Sequence, residues 1–225
     1  MLLLSIKKAI AKNHTKKNQR KHAMAGRFIT FEGIDGAGKS TQHAWLVAHL
    51  RAQGKEVVAT REPGGTPLGE KLRSLLLAEP MHIETEALLM FAARREHIDK
   101  VISPALANGA WVICDRFVDA SFAYQSGGRG LAWEKIETLC TWTLNNLQAD
   151  LTFIFDVPIS TAQARLAQAT HQPDRFEQEQ TGFFERVRAA YHRIAQENPQ
   201  RVVLIDATQT PDKINKLLEK SIATI

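Results

Sequence analysis

A glycine-rich octapeptide between a short apolar run and a helical pattern limits the fold of this chain more than any other feature. The octapeptide is Gly33-Ile34-Asp35-Gly36-Ala37-Gly38-Lys39-Ser40, and it matches the P-loop pattern G-x-x-x-x-G-K-[ST]. The run Phe28-Ile29-Thr30-Phe31 before it predicts a strand. The periodic segment through Leu46 and Leu50 after it predicts a helix that ends at Gly54. A strand, a glycine-rich loop and a helix in this order predict a site for nucleotide phosphates.

The loop is expected to bind ATP through backbone N–H groups, which need glycine where a Cβ would block the approach or where φ is positive. Lys39 is expected to reach the β- and γ-phosphates, and the Ser40 hydroxyl to ligate Mg²⁺. A chance glycine-rich turn is the alternative, and the flanking elements disfavour it. The predicted ATP-binding residues are Gly33, Ile34, Asp35, Gly36, Ala37, Gly38, Lys39, Ser40 and Thr41.

Strand and helix patterns alternate from residue 27 to the end of the chain, which predicts the α/β class. After the first strand, further strands are predicted at 57–59, 111–114, 151–155 and 202–205. We expect a P-loop NTPase fold with a five-stranded parallel sheet and helices on both faces. One domain is predicted over residues 25–225, with a small lid at about 168–176.

Two helical predictions follow from apolar spacing. Leu88, Phe91 and Ile98 are expected on one apolar face of a helix. A later helix is expected to run through Ile136 and on to Leu147.

Basic charge is concentrated at the N-terminus. Residues 1–24 hold seven basic residues and no acidic one, while the remaining 22 basic and 24 acidic residues give a net charge of −2. A nearly neutral remainder disfavours nucleic acid as a partner. Residues 1–24 are predicted to be a disordered extension, although a transit-like amphipathic arm with Leu3, Ile6 and Ile10 on one face stays open.

The chain shows no sign of a membrane span or of an oxidising compartment. No run approaches the roughly 18 apolar residues of a membrane-spanning helix. Cys114 and Cys140 form neither a metal-binding spacing nor a disulfide framework, which predicts a cytoplasmic protein.

Asp115 follows the third predicted strand directly, where ligands of open α/β sheets gather. It is expected to act as a Walker B acid that faces the metal or its waters; a strand-end aspartate that only caps a turn is the alternative. The chain lacks the Asn-Lys-x-Asp element that reads guanine, which disfavours a regulatory GTPase. Its length fits a small kinase better than an ATPase motor.

Six stretches in one order resemble the thymidylate kinase family, and the resemblance extends from about Gly26 to the C-terminus. The stretches are Phe31-Glu32-Gly33-Ile34-Asp35-Gly36, Arg61-Glu62-Pro63-Gly64-Gly65-Thr66, Phe91-Ala92-Ala93-Arg94-Arg95-Glu96-His97, Asp115-Arg116-Phe117, Ala123-Tyr124-Gln125 and Asp174-Arg175-Phe176-Glu177. The resemblance implies transfer of the γ-phosphoryl group of ATP to dTMP, giving dTDP and ADP for dTTP synthesis. It also implies Mg²⁺ and a homodimer.

The resemblance implies roles for three arginines. Arg61 and Arg116 would hold the acceptor phosphate, and Arg175 would lie in a lid over the transferring group. A guanidinium fork suits phosphate oxygens, and positioned cations are what phosphoryl transfer needs. With Lys39 these are the predicted catalytic residues. A surface or ion-paired arginine is the alternative for each.

The resemblance also implies an acceptor site in which thymine stacks on Phe91 and an arginine binds its carbonyl. Arg94 is favoured over Arg95, although the register stays open. An alternative for Phe91 is a place in the core. The predicted substrate-binding residues are Asp35, Arg61, Phe91, Arg94, Arg116, Ser121, Tyr124 and Gln125; the predicted metal ligands are Ser40 and Asp115.

The lid departs from the family pattern, because residues 168–173 read Gln-Ala-Thr-His-Gln-Pro and lack the usual arginines. The P-loop has no arginine either, so Arg175 is expected to carry the lid's catalytic work nearly alone. The resemblance further implies an adenine contact near Asp206-Ala207-Thr208. Two alternatives stay open: a related kinase with another small acceptor, and a nucleotide-binding module tethered to nucleic acid by the basic arm.

Overall fold

A computed structural model describes residues 26–168 and 174–225 of the chain. Five parallel strands form one sheet in the order β2-β3-β1-β4-β5. The strands are β1 (Phe28–Glu32), β2 (Val57–Arg61), β3 (Trp111–Asp115), β4 (Leu151–Asp156) and β5 (Val202–Asp206). The predicted five-stranded parallel sheet is confirmed, and each predicted strand lies within an observed one. The predicted extension over 1–24 and the lid residues 169–173 lie outside the described residues.

Helices connect successive strands, as parallel pairing requires. They are α1 (Lys39–Ala52), α2 (Pro67–Ala78), α3 (Ile83–His97), α4 (Ser103–Ala107), α5 (Val118–Ser121), α6 (Trp133–Leu144), α7 (Ile159–Leu166), α8 (Thr181–Glu197) and α9 (Pro211–Ile222). Two π-helical segments, 98–102 and 122–128, continue α3 and α5. Across the described ranges, no helix has the length and apolar character needed to span a bilayer.

The sheet is covered on both faces because the side chains of β1 alternate between two apolar clusters. Ile29 and Phe31 pack into the larger cluster, while Phe28 packs into the second with Val112 and Cys114. All five residues of β1 are buried. A central strand buried on both faces explains the continuous apolar run that precedes the glycine-rich loop.

Two helical predictions need correction. Leu88 is 53% exposed while Phe91 is 1% exposed, because the inward stripe of α3 passes through Ala87 and Phe91 and leaves Leu88 beside it. The predicted helix through Leu147 ends at Leu144 instead. There the backbone turns to positive φ, 48° at Asn145, and an α-helix does not continue through that conformation.

The carboxyl ends of the three adjacent strands β2, β3 and β1 bring polar residues to one edge. Arg61 is aligned with Asp115, and Asp115 is aligned with Phe31, one residue before Glu32. The glycine-rich loop leaves the sheet at the same edge. This edge therefore holds the residues that the sequence indicates for phosphate and metal binding.

Glu32 is a buried carboxyl group that links this edge to two other elements. Its Oε1 accepts a hydrogen bond of 2.7 Å from the backbone N–H of Phe117, and its Oε2 accepts one of 2.8 Å from the Tyr191 hydroxyl. Burial, reinforced by the charge of Asp119, raises the pKa of Glu32 to about 8. The folded state therefore holds a proton on Glu32 that the unfolded chain releases at much lower pH.

This proton should make stability depend on pH. Because the folded pKa of Glu32 lies above the unfolded value, the free energy of unfolding should fall as pH rises from about 5 to about 8. In Glu32→Gln, which carries no titrating group there, the fall should be shallower. Urea unfolding of both proteins at several pH values measures this. Equal pH slopes would contradict the assignment.

Candidate active site

The glycine-rich loop wraps tightly because two of its glycines occupy positions that other residues could not. Gly33 has a φ of 127°, and a Cβ there would lie 2.5 Å from the carbonyl oxygen of Phe155. Gly36 has a φ of 79°, and a Cβ there would overlap the carbonyl of Ala162. The sequence pattern thus reflects both backbone conformation and close contact with β4 and α7.

Lys39, at the start of α1, lies within the curve of the loop. Its Nζ donates hydrogen bonds of 3.0 Å to the carbonyl oxygens of Gly33 and Ile34, and lies 3.6 Å from Oδ1 of Asp35. Burial, together with the charge of Arg116, lowers the pKa of Lys39. The ammonium is therefore held at the centre of a loop whose backbone suits phosphate oxygens.

Arg116 joins the loop to the neighbouring cleft. One nitrogen, Nη2, donates 2.8 Å to Oδ1 of Asp35 and 3.0 Å to the Tyr124 hydroxyl, and Nη1 donates 3.3 Å to the Tyr191 hydroxyl. Although burial opposes ionisation of Asp35, the charges of Arg116 and Lys39 hold its pKa well below the usual range. Asp35 is thus a carboxylate shared by two cations.

The backbone of Arg116 is strained, with a φ of 70° at a non-glycine residue. Hydrogen bonds on both sides hold it in place. Its own N–H donates to the carbonyl of Phe31, and the next N–H, of Phe117, donates to Glu32. The strained turn at the end of β3 therefore directs the guanidinium toward the loop.

A cleft opens beside Arg116 between α2, α3 and the segment from Phe117 to Gln125. Six of the predicted substrate-binding residues line it, namely Asp35, Arg94, Arg116, Ser121, Tyr124 and Gln125. Residues far apart in sequence are thus brought to one concave surface next to the phosphate loop. Such a surface suits a second nucleotide.

Arg94 and Arg95 have different environments. Arg94 is buried and donates 2.7 Å to Oε2 of Glu62, 3.1 Å to Oγ of Ser121 and 2.9 Å to the Phe117 carbonyl. Arg95 points elsewhere and donates 2.8 Å to the carbonyl of Thr143. The structure thus brings Arg94 to the cleft and leaves Arg95 outside it.

The structure does not bring Phe91 to the cleft. Phe91 packs in a buried cluster with Ala87 and Ile136, and the Arg94 guanidinium lies over its ring at 4.5 Å from the centroid. Met90, one residue earlier in α3, lines the cleft instead. One residue is 100° around a helix, so apolar periodicity alone could not choose between them.

Arg61 lies in a groove on the other side of the strand edge, together with Ser40 and Asp115. Its guanidinium is about half exposed and pairs with Glu70 at 3.0 Å. Oδ1 of Asp115 is buried, and no hydrogen bond from the described parts of the chain reaches it. A hydroxyl and a carboxylate oxygen facing one groove fit the donor set of a hard divalent cation.

Arg175 lies beside the cleft rather than over the loop. Its Nε and Nη2 donate 3.1 Å and 2.8 Å to the carbonyl of Leu76, and Nη2 is 2.7 Å from Oε2 of Glu86. These contacts attach the C-terminal part of the lid to α2 and α3. The predicted lid residues 169–173 lie outside the described residues.

Two further arginines reach the site without having been predicted. Arg73 lines the cleft and donates 3.1 Å to the carbonyl of Pro63. Arg165 donates 3.2 Å to the carbonyl of Gly36 and 3.0 Å to that of Ala207, within the stretch expected to contact adenine. Each lies on an amphipathic helix, where an arginine usually indicates only a solvated face.

Comparisons with known proteins identify the family to which the chain belongs. The family model described as thymidylate kinase matches residues 31–218. A thymidylate kinase of Cupriavidus metallidurans is 63% identical over 202 residues, covering 90% of this chain and all of the relative. One of Methylobacillus flagellatus is 60% identical over 193 residues, covering 86% and 95%.

A solved structure gives the same result for the fold. The crystal structure of thymidylate kinase from Ehrlichia chaffeensis superimposes with a TM-score of 0.72 at 36% sequence identity, covering 88% of this chain and 99% of that one. The P-loop NTPase fold and the resemblance inferred from the six stretches are both confirmed. The chain therefore belongs to the thymidylate kinase family, whose members transfer the γ-phosphoryl group of ATP to dTMP.

Proposed function

We propose that the glycine-rich loop binds ATP and that the cleft beside it binds dTMP, with the two phosphates meeting at Arg116. The observation that carries this proposal is the position of the Arg116 guanidinium, which contacts Asp35 of the loop and Tyr124 of the cleft at once. A cation at the junction of two phosphate sites lowers the repulsion between them. Phosphoryl transfer is catalysed mainly by such positioning and by stabilisation of negative charge.

The acceptor phosphate is proposed to lie between Arg116 and Arg73, both of which line the cleft. Arg61 adds positive charge from the neighbouring groove. Asp35 is proposed to accept a hydrogen bond from the sugar 3′-hydroxyl. The attacking phosphate oxygen is already anionic, so no general base is required, and Lys39 with the arginines supplies the catalysis by charge and position.

The pyrimidine is proposed to enter the part of the cleft lined by Met90, Arg94, Ser121 and Gln125. Arg94 uses three of its five N–H groups within the protein. The other two form no hydrogen bond within the described parts of the chain, and we propose that they donate to a base carbonyl. Tyr124 is held by Arg116 and is proposed to lie against the deoxyribose, where it disfavours a 2′-hydroxyl.

Ser40 and Asp115 are proposed to be the residues that would hold Mg²⁺, because a hydroxyl and a carboxylate offer the oxygen ligands that this ion prefers. A buried oxygen of Asp115 that accepts no hydrogen bond from residues 26–168 or 174–225 supports this proposal. When bound, the ion would neutralise phosphate charge. The Ser40 hydroxyl and the Asp115 carboxylate would supply oxygen ligands at the edge of the sheet next to Lys39.

The proposal is tested by measuring ADP release with dTMP, dUMP, dCMP, GMP, AMP and shikimate offered separately. Turnover should be confined largely to dTMP. In Lys39→Ala it should fall by a factor on the order of 10² or more, because the buried cation facing the transferring phosphate is removed. Another acceptor used better than dTMP would contradict the proposal, as would full activity in the variant.

Arg175 is proposed to act in catalysis from the lid, and its contacts with Leu76 and Glu86 would then have to open when ATP binds. Arg175→Ala should lower kcat by a factor on the order of 10² with little change in dTMP affinity. Steady-state kinetics with dTMP varied at saturating ATP measure both. A wild-type kcat in the variant would reject the catalytic role.

We also propose that residues 25–225 form one kinase domain in the cytoplasm and that it assembles as a homodimer. Leu88 on α3 and Trp142 on α6 are exposed, and these packed helices present a surface suited to a second copy. Light scattering should give twice the chain mass, and Leu88→Asp should give a monomer. A monomeric wild-type protein at micromolar concentration would contradict the dimer.

A further inference from the structure

A buried carboxylate lies behind the cleft and is not among the groups proposed above to contact either nucleotide. Glu86, on α3, has 0% of its surface exposed. Nη2 of Arg175 is 2.7 Å from its Oε2, and Nε of Arg129 is 3.2 Å from its Oε1. Two guanidinium groups thus offset the cost of burying one carboxylate.

The third neighbour of Glu86 is neutral. Nε2 of Gln125 donates a hydrogen bond of 2.8 Å to Oε1 of Glu86. An amide group has a donor end and an acceptor end, whereas a carboxylate only accepts. The amino end of Gln125 must therefore face Glu86, and its carbonyl oxygen is turned away from it.

The carbonyl oxygen of Gln125 can accept a hydrogen bond from a ligand in the cleft. Gln125 lines that cleft together with Arg94 and Ser121. Within residues 26–168 and 174–225, no hydrogen bond to Oε1 of Gln125 is formed. The wall near the proposed pyrimidine therefore presents an acceptor from Gln125 beside donors from Arg94.

We propose that Glu86 is a positioning residue that turns the Gln125 carbonyl toward the base and thereby selects a pyrimidine that carries a ring N–H. This inference rests on the proposed function, in which the cleft holds the base of dTMP. Thymine and uracil carry a ring N–H between two carbonyls. Cytosine has an unprotonated ring nitrogen there and an amino group in place of one carbonyl, so it would meet acceptor with acceptor and donor with donor.

The arrangement also ties base selection to the C-terminal part of the lid and the residues that follow it. Arg175 reaches Glu86 from that segment, and Arg129 is shared between Glu86 and Glu179, with Nη2 2.8 Å from Oε1 of Glu179. Glu179 pairs with the same arginine, but among the described residues it forms no hydrogen bond with Gln125. It is therefore a matched control that changes the charge around Arg129 without freeing the amide.

The test compares kcat/KM for dTMP and dCMP in wild type, Glu86→Gln and Glu179→Gln. A glutamine at position 86 can present its own amino group, which lets the Gln125 amide turn over. The dTMP-to-dCMP ratio should fall at least tenfold in Glu86→Gln, mainly through a higher KM for dTMP. It should stay within about twofold of wild type in Glu179→Gln.

If the role of Glu86 were purely structural, kcat/KM in Glu86→Gln would fall by the same factor for dTMP and for dCMP. An unchanged ratio in folded Glu86→Gln would overturn the proposal. Glu86→Asp keeps an acceptor-only group and should retain most of the selectivity; a ratio as low as that of Glu86→Gln would also count against it.

If Glu86→Gln does not fold, the proposal is tested with the wild-type enzyme. A dTMP analogue methylated on the ring nitrogen lacks the N–H donor and should inhibit at least tenfold more weakly than dTMP binds. Equal affinity would overturn the orientation of Gln125. Absence of dTMP turnover in the wild type would overturn the proposed function, and with it the inference that rests on it.

Discussion

The contact between Arg116 and Asp35 is the interaction on which the rest of the site depends. It places a cation between the phosphate loop and the cleft, and the same guanidinium is fixed by Tyr124 and Tyr191. A strained turn at the end of β3 is needed to aim it, and the buried carboxyl of Glu32 stabilises that turn. The ion pair with Asp35, the strained backbone and the register of β3 therefore together determine where the Arg116 side chain lies.

The fold brings these groups to one place. Parallel strands end at one edge, so the loop after β1, the turn after β3 and the arginine at the end of β2 meet there. The cleft is then completed by α2, α3 and the segment following Phe117, which carry the groups proposed to hold the acceptor. The remaining helices mainly supply apolar packing, and the chemistry belongs to a few residues at this edge and in the cleft.

Much of this was predictable from sequence because the strongest patterns have direct physical causes. Buried strands need continuous apolar runs, and a phosphate loop needs glycine where no Cβ fits, as at Gly33. Side-chain direction was less predictable: Met90 rather than Phe91 faces the cleft, a difference of one helical position. The position of Arg73 in the cleft and the pairing of Arg175 with Glu86 depend on tertiary contacts, which a local sequence pattern does not reveal.

The central claim is that a phosphoryl group passes between two phosphates held on either side of Arg116. Phosphorus NMR of a mixture of ATP, Mg²⁺, dTMP and the purified protein tests it most directly. The dTMP resonance should be replaced by the two coupled resonances of dTDP, with ADP formed in equal amount. Formation of ADP and inorganic phosphate while the dTMP resonance stays unchanged would contradict the account.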